Sequence, residues 1–229
     1  MFFLAAAALG MTACGGGSKQ IRTEADSVSY ALGMDMGRYL QNMDKTMKGQ
    51  LNVDQVFSAI RDVMKDSPKM SQDTAMNFLR EYFNVRMPAR AKAESEAFMS
   101  EVEKNNPGIQ KTESGLLYEI IEPGNDVKAT QNKDAVRVLY EGTLRDGTVF
   151  DSSYERGDTA QFTLGGVIKG WSEGLKLVGE GGKIKLWIPS DLAYGQYGAG
   201  GKIGPNEALV FDVQLLEVIP AKEEPAKKK

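Results

Sequence analysis

The chain has 229 residues, a formal net charge of −3, no histidine and one cysteine. The absence of histidine excludes a Ser-His-Asp triad, a Cys-His pair and a histidine-ligated zinc site, and a single cysteine excludes a cysteine-rich metal site and a disulfide within the chain. Hydrophobic residues at 41% and charged residues at 26% are typical of a globular protein, and the slightly acidic balance argues against nucleic-acid binding.

The N-terminal residues have the pattern of an export signal. Residues 1–10 form an apolar run that is too short to span a membrane but has the length of a signal-peptide core. Two small residues then precede Cys14, and residues 15–18 are Gly-Gly-Gly-Ser. This order resembles a bacterial lipobox, which implies that Cys14 is acylated; a buried free cysteine is the alternative. We predict a lipoprotein signal over residues 1–14 and a flexible tether over residues 15–22.

Residues 23–106 have the hydrophobic spacing of α-helices. Apolar residues recur at intervals of three and four, which predicts one apolar face on each of three helices. Asn52 and Ser71 are suitable N-caps for the second and third helices. The third pattern continues to Asn105, and an unbroken helix of this length would measure about 50 Å. The apolar faces consist of Val28, Leu32, Met36, Leu40 and Met43, then Val56, Phe57, Ile60 and Met64, then Met76, Leu79 and Phe83.

The third helix changes character at Pro88. Proline lacks a backbone N–H and its ring clashes with the preceding turn, so Pro88 should kink or split the helix. Residues 89–97 are mostly alanine and charged, which predicts a solvated connecting helix. Because short helices with wide apolar faces are marginal alone, we predict that the helical part associates with a second copy to form a homodimer. A ligand site on these faces is the less favoured interpretation.

After Gly108 the sequence changes to strands and turns. Alternating apolar residues predict four strands, and residues 145–147 are a turn signal. One short helical stretch follows the second strand, so an antiparallel sheet packed on one helix is expected over residues 107–219. The charged tail, residues 220–229, should be disordered. The strands are residues 117–121, 135–140, 184–188 and 209–216, and the helix is residues 171–178.

No cofactor or metal is predicted. The glycine-rich stretches over residues 179–182 and 198–204 lack the strand-loop-helix setting of a phosphate-binding loop. They are interpreted as tight turns and a mobile loop. The predicted fold class is therefore α+β, with an all-helical N-terminal module and long connecting helix over residues 23–106 and an antiparallel sheet domain after it.

Five phrases in the C-terminal half occur in a distinctive order. They are YEGTL (140–144), GTVFDSS (147–153), VIKGWSEGL (167–175), IPSDLAYG (188–195) and LVFDV (209–213). Together they resemble the FK506-binding-protein (FKBP) family of peptidyl-prolyl cis-trans isomerases, over residues 109–219. The phrase DSVSYALG (26–33) is similar to the FkpA and macrophage infectivity potentiator (Mip) type, in which a helical module dimerises and a long helix carries each isomerase domain. The resemblance implies an FKBP-like sheet wrapped around one short helix.

The resemblance also implies a proline pocket with Trp171 as its floor. Asp151 would lie at the pocket edge and pair with Arg156, while the Ile168 backbone N–H and the Tyr194 hydroxyl would donate to the substrate. Taken singly, each of these residues is more often found in a core, a turn or a packed loop, and only their joint order indicates a pocket. The catalytic residues would be Tyr140, Phe150, Asp151, Tyr194 and Phe211, and the substrate-binding residues Val167, Ile168, Trp171 and Arg156.

Three positions depart from the family pattern. Ala160 falls near the place of an aromatic wall residue in the human-type domain, residues 165–166 shorten the loop before Val167, and Ala199 occupies a position that is histidine in some members. These departures bear on peptide preference and on affinity for a macrolide of the FK506 kind.

The predicted function is rotation of X-Pro bonds in exported, unfolded polypeptides. Amide resonance makes this rotation slow, and a dry aromatic pocket favours the twisted amide without a covalent step or a cofactor. The alternative is a periplasmic holdase that grips unfolded chains, with isomerisation incidental; a structural lipoprotein is a weaker third possibility. The predicted location is the bacterial cell envelope, with a lipid anchor in the outer membrane facing the periplasm.

Overall fold

The computed structural model describes residues 20–47 and 49–221. The predicted signal with Cys14, residues 15–19 of the tether and residues 222–229 of the tail lie outside the described residues. The chain divides into two compact units, residues 1–71 and residues 72–229. Within the described ranges, no helix combines the length and the apolar character needed to cross a membrane.

The first unit contains helices α1 (Glu24–Thr46) and α2 (Val53–Met64). A capping box starts α1: the Thr23 hydroxyl accepts from the Asp26 backbone N–H, and the Asp26 carboxylate accepts from the Thr23 N–H. Asn52 caps α2 as predicted, because its side-chain oxygen accepts from the third backbone N–H beyond it. The two helix starts are therefore fixed by local hydrogen bonds.

The apolar faces of α1 and α2 are exposed in the described part of the chain. Neither helix contains a buried residue. On α1, Val28 is 56% exposed and Leu32 is 62% exposed, although both belong to the predicted apolar face. Further large apolar residues that remain exposed on these two helices are Tyr30, Met34, Met36, Tyr39, Phe57, Ile60 and Val63.

The second unit begins with a helix that is interrupted by one wide turn. Helix α3 (Gln72–Glu81) leads into a π-helical turn (Tyr82–Arg86), and helix α4 (Met87–Asn105) follows. The Met87 backbone N–H donates to the Tyr82 carbonyl, a bond that spans five residues. Pro88 lies at the start of α4, where its missing N–H is tolerated. The expected kink or split therefore takes the form of a π turn just before the proline.

The sheet domain, residues 110–219, is a seven-stranded antiparallel sheet within the described part of the chain. The strand order is β1-β2-β6-β7-β3-β4, and β5 also pairs with β3. Strands β1, β4 and β5 were not predicted, because segments of two to four residues are too short to show alternation. The strands are β1 Gln110–Lys111, β2 Leu117–Glu122, β3 Ala135–Leu144, β4 Val149–Ser152, β5 Ala160–Thr163, β6 Lys183–Ile188 and β7 Leu209–Ile219.

One face of the sheet packs on a short helix and forms the main core. Helix α6 (Lys169–Gly174) follows a single-turn helix α5 (Ser153–Arg156). A Cβ atom at Gly174 would lie 2.6 Å from the Leu186 side chain, so the glycine allows α6 to approach β6 closely. The helix ends at Gly174 and not at Val178 as predicted, since the chain continues in hydrogen-bonded turns that bury Leu175 and Val178.

The other face of the sheet is covered by α4. Leu117, Trp187 and Val210 are direct cross-strand neighbours on β2, β6 and β7, and they form a second buried cluster. Phe98, Met99 and Val102 of α4 pack against this cluster together with Ile109. Residues 89–97, the stretch predicted to be solvated, are mostly exposed, and the contact with the sheet is made by the α4 residues that follow them. This packing places α4 in the same unit as the sheet, so the unit boundary at residue 71 does not coincide with the predicted domain boundary at residue 106.

Replacing Leu186 with alanine should lower the free energy of unfolding by about 2–5 kcal/mol, because a fully buried side chain is removed and a cavity remains. The two tryptophans of the chain, Trp171 and Trp187, both lie in the sheet domain, so their fluorescence during urea titration reports on this domain. Ile121→Ala is the control, since Ile121 is 55% exposed. Equal stability of the two variants would contradict the assigned core.

Candidate active site

A cavity of about 410 Å³ opens beside the main core of the sheet domain. Its walls come from strands β3, β4, β5 and β7, from helix α6 and the segment before it, and from the loop after β6. The lining is mostly aromatic and aliphatic, with one carboxylate. The residues are Tyr140, Phe150, Asp151, Phe162, Gly166, Val167, Ile168, Trp171, Tyr194 and Phe211.

The register of β3 brings three of these residues together. Gly142 of β3 pairs with Phe211 of β7 on one side and with Asp151 of β4 on the other. A Cβ atom at Gly142 would lie 2.7 Å from the Phe150 ring and 2.7 Å from the Phe211 ring. The glycine therefore leaves space in which the two rings meet edge to face, with centroids 5.5 Å apart.

Trp171 is held by the aromatic rings around it. Its ring makes edge contacts with Tyr140 at 5.0 Å, with Phe211 at 5.1 Å and with Phe162 at 5.4 Å between centroids. Only 4% of the side chain is exposed. The indole Nε1–H is buried and has no hydrogen-bond partner among the described residues. The packing leaves Trp171 little freedom to move, and it forms a rigid apolar surface in the cavity.

The edge of β3 is interrupted at Tyr140. Residues 135–138 of β3 pair with β5, and residues 141–143 pair with β4, so Tyr140 faces neither strand. The hydroxyl of Ser153, a fully buried residue of α5, accepts from the Tyr140 backbone N–H at 2.8 Å. This bond takes the place of the strand partner that Tyr140 lacks, so the Tyr140 backbone N–H at the cavity wall is hydrogen-bonded.

Asp151, Tyr140 and Arg156 form one hydrogen-bonded group. The Tyr140 hydroxyl and the Arg156 guanidinium both donate to the Asp151 carboxylate, and Arg156 also donates to the Tyr140 oxygen at 3.0 Å. Partial burial alone would raise the pKa of Asp151, but these two hydrogen bonds and the Arg156 charge outweigh it and hold the pKa below 3.8. Burial and the bond to Asp151 raise the pKa of Tyr140 above 10.0. Asp151 is thus ionised and Tyr140 neutral at neutral pH.

Arg156 reaches this group from outside the cavity lining. The Ser152 hydroxyl caps α5, and Gly157 ends it in the left-handed region at a φ of 67°. The guanidinium carbon lies 5.6 Å from the centre of the Tyr140 ring. Of the nine site residues expected from the sequence, eight line the cavity, and Arg156 contacts two of those eight.

Phe162 is the aromatic lining residue that the sequence analysis missed. It lies on β5 two residues after Ala160, and both side chains are half-buried while Gln161 between them is exposed. The alternation in Ala160–Thr163 was a signal for this placement, since residues i and i+2 of a strand share a face. The ring of Phe162 contacts Tyr140 at 6.0 Å and so provides an aromatic wall close to the position where only alanine was expected.

Tyr194 enters the cavity from the start of a glycine-rich loop, residues 195–206. Its side chain is 41% exposed, so it lies at the rim. The Lys202 ammonium donates to the Phe150 carbonyl at 2.9 Å, and Ala199 and Ile203 form a two-residue bridge within the loop. Tyr197 at the loop tip is 84% exposed. In the described part of the chain, no cluster of three acidic or cysteine side chains suited to a metal ion occurs.

Comparisons with known proteins agree with this architecture. The sequence model for FKBP-type peptidyl-prolyl cis-trans isomerases matches residues 127–216, and the model for the domain amino-terminal to it matches residues 25–120. The FKBP-type peptidyl-prolyl cis-trans isomerase FkpA of Escherichia coli K12 is 41% identical over 211 residues, which cover 87% of this chain and 77% of that protein.

One further relative and one solved structure extend the comparison. Outer membrane protein MIP of Legionella longbeachae is 35% identical over 209 residues, covering 86% of this chain and 87% of that protein. The crystal structure of FkpA from Escherichia coli matches with a TM-score of 0.62 at 38% identity, over 89% of this chain and 100% of the other. The helical region followed by an antiparallel sheet is therefore shared with a solved structure.

Arg156→Gln should raise the pKa of Asp151, because it removes a charged donor that stabilises the carboxylate. A carbon-13 NMR titration of the side-chain carboxyl measures this directly. Since the folded-state pKa is depressed, the associated stability is present above the unfolded pKa and is lost as the pH falls through the folded pKa. Lys202→Gln is the control, because Lys202 bonds the neighbouring carbonyl of Phe150. An unchanged Asp151 pKa in Arg156→Gln would contradict the assigned pairing.

Proposed function

We propose that this chain, which belongs to the FKBP-type peptidyl-prolyl cis-trans isomerase family and is an enzyme of that type, binds the proline of its substrate in the aromatic cavity. The observation that carries the proposal is an apolar cavity of about 410 Å³ closed below by Trp171 and edged by an ionised carboxylate. The comparisons favour catalysis over the holdase hypothesis, since the matching family and its named members are isomerases.

The cavity size fits a prolyl ring with its flanking atoms. It lies near the lower end of the roughly 300–1,000 Å³ range of pockets for small molecules, so it admits a short segment of an unfolded polypeptide. We expect the pyrrolidine ring to lie on Trp171, with Phe150, Phe211 and Val167 among the apolar residues that line the cavity. The same apolar walls are expected to bind a macrolide of the FK506 kind.

Catalysis requires stabilising a twisted amide. The planar peptide bond owes its barrier of about 18–20 kcal/mol to resonance that also separates charge between nitrogen and oxygen. Rotation removes this resonance, so the twisted amide is less polar than the planar amide. Transfer from water to a dry aromatic site therefore stabilises the twisted amide relative to the planar one. No proton transfer or covalent bond is needed, which is consistent with a chain that contains no histidine.

Polar groups at the rim orient the chain on either side of the proline. The Ile168 backbone N–H and the Tyr194 hydroxyl donate to substrate carbonyls, and both residues line the cavity. Asp151 supplies a fixed negative charge at the edge, and Tyr140 and Arg156 hold its carboxylate in one orientation. The roles of the nine site residues thus divide into apolar walls, two donors, one anchored charge and the two residues that hold that charge.

The helical region is proposed to form a homodimer. The exposed apolar residues of α1 and α2 support this, because a face carrying Val28 and Leu32 at 56% and 62% exposure is costly to leave in water. The sequence at Cys14 further supports a lipid anchor, which would place the protein in the bacterial cell envelope, at the outer membrane facing the periplasm, with exported unfolded proteins as substrates. One relative carries the name outer membrane protein.

Phe150→Ala should lower kcat/KM for a proline-containing peptide at least tenfold, since the loss of about 1.4 kcal/mol of transition-state stabilisation gives that factor. The assay is protease-coupled isomerisation by residues 20–229. Tyr154→Ala is the matched control, because Tyr154 is 52% exposed and does not line the cavity.

The pH dependence provides a second check on the same mechanism. The pKa of Asp151 is lowered and the pKa of Tyr140 is raised, so neither group changes charge near neutral pH, and kcat/KM should be nearly flat across the window where histidine titrates, about pH 6 to 8. Activity equal to wild type in Phe150→Ala, or a steep bell in this window, would refute the proposed function.

Leu32→Glu should dissociate the proposed dimer, because it places a charge on the exposed apolar face of α1. Light scattering after size-exclusion chromatography of residues 20–229 should give twice the chain mass for wild type and the single-chain mass for the variant. Asp35→Asn on the same helix is the control. A monomeric wild-type protein would exclude the homodimer.

A further inference from the structure

Asn206 lies at the junction between the loop of residues 195–206 and strand β7. Its side chain is buried, with 8% of the residue exposed. The Asn206 backbone N–H donates to the Gly195 carbonyl at 2.8 Å, so the two ends of the loop are bonded to each other. Gly195 directly follows Tyr194, and the bond therefore fixes the backbone beside the cavity residue.

The same asparagine also bonds the connecting helix. Its side-chain Nδ2 donates to the Pro88 carbonyl at 2.9 Å, at the beginning of α4 and next to the π turn. The Asn206 backbone has a φ of 54°, in the left-handed region that asparagine and glycine tolerate best. Asn206 thus joins three parts of the molecule: the start of the loop, its end and the helix.

The next residue strengthens this attachment. Glu207 is 8% exposed, and its carboxylate pairs with the Arg145 guanidinium at 2.8 Å. Arg145, in the turn after β3, also contacts the Glu94 carboxylate of α4 at 3.3 Å. Two of these three charged side chains are largely buried, at 12% exposure for Arg145 and 9% for Glu207, so loss of either partner would leave a desolvated charge. Two adjacent residues therefore link the end of the loop to helix α4: Asn206 directly, and Glu207 through Arg145.

A separate contact holds the middle of the loop. Lys202 bonds the Phe150 carbonyl and does not involve α4. Loss of the Asn206 side-chain bond would therefore remove the direct attachment of the loop's end to α4, while the Lys202 contact and the Glu207–Arg145 pair remain. Because the Asn206 backbone N–H bonds the Gly195 carbonyl, a shift at Asn206 is passed to the residue that directly follows Tyr194.

We propose that Asn206 is a positioning residue that fastens the loop of residues 195–206 to helix α4 and thereby holds Tyr194 at the rim of the cavity. The connecting helix is then part of the active-site scaffold as well as a link to the N-terminal helices. The inference rests on the proposed function, specifically on contact between Tyr194 and the peptide.

Asn206→Gly isolates the side-chain bond, because glycine keeps the positive φ and the backbone N–H while removing the amide donor. One neutral hydrogen bond corresponds to about a fivefold effect, so kcat/KM for the proline peptide should fall about fivefold, mainly through a higher KM. Tryptophan fluorescence during urea titration establishes that the sheet domain remains folded.

A double-mutant cycle with Tyr194→Ala separates positioning from a general structural effect. If Asn206 acts through Tyr194, Asn206→Gly lowers kcat/KM in the wild-type background and has no further effect once Tyr194 is absent. The same fivefold loss in both backgrounds, or no loss in the wild-type background, would overturn the proposal.

Glu94→Gln tests the attachment from the helix side and remains informative if Asn206→Gly does not fold. It weakens the contact to Arg145 and should raise KM about twofold in the same Tyr194-dependent way. Glu96→Gln is the matched control on α4, since its carboxylate is 69% exposed and pairs only weakly with Lys92 at 3.9 Å. Equal KM for these two variants would count against the proposal, whereas a fully active Phe150→Ala would instead refute the proposed function.

Discussion

Strand β3 is the element on which the cavity depends, because it pairs with three other strands. One edge binds β7 along its whole length, and the other edge is shared by β5 and β4 with a gap at Tyr140. Side chains from four strands converge at this gap, and the hydroxyl of Ser153 satisfies the backbone that the gap exposes. The aromatic cavity is therefore a consequence of strand pairing, and Gly142 supplies the space in which the rings of neighbouring strands meet.

The polar part of the site is built for fixed charge and not for proton transfer. Asp151 is bonded by a phenol and a guanidinium, neither of which gives up its proton near neutral pH. The carboxylate therefore keeps one charge state and one orientation while the substrate rotates. Such a site suits a reaction in which the enzyme and the substrate exchange no atoms.

Most of the residues that line the candidate site could be predicted from the sequence, but the docking of α4 on the sheet could not. The long alternating strands and the order of the family phrases identified eight of the ten lining residues. Phe162 was missed because β5 has only four residues, which is too short for its alternation to stand out. The docking of α4 was missed because Phe98, Met99 and Val102 follow an alanine-rich and charged stretch. Trp187 was a signal that the second face of the sheet is also covered, since it places an apolar side chain on the face of β6 opposite Leu186.

The π turn before Pro88 sets how α3 is rotated relative to α4. Each residue of an α-helix turns the chain by about 100°, so a turn that holds one additional residue changes the direction of the α3 side chains relative to those of α4. Helix α4 is held by its own contacts, since Phe98 and Val102 pack on the cluster of Leu117, Trp187 and Val210 and the Pro88 carbonyl accepts from Asn206. Insertion or deletion of a single residue in this turn would leave the packing of α4 on the sheet in place and would rotate α3 by about 100° about the helix axis relative to α4. The number of residues in this turn thus sets the direction in which the side chains of α3 point.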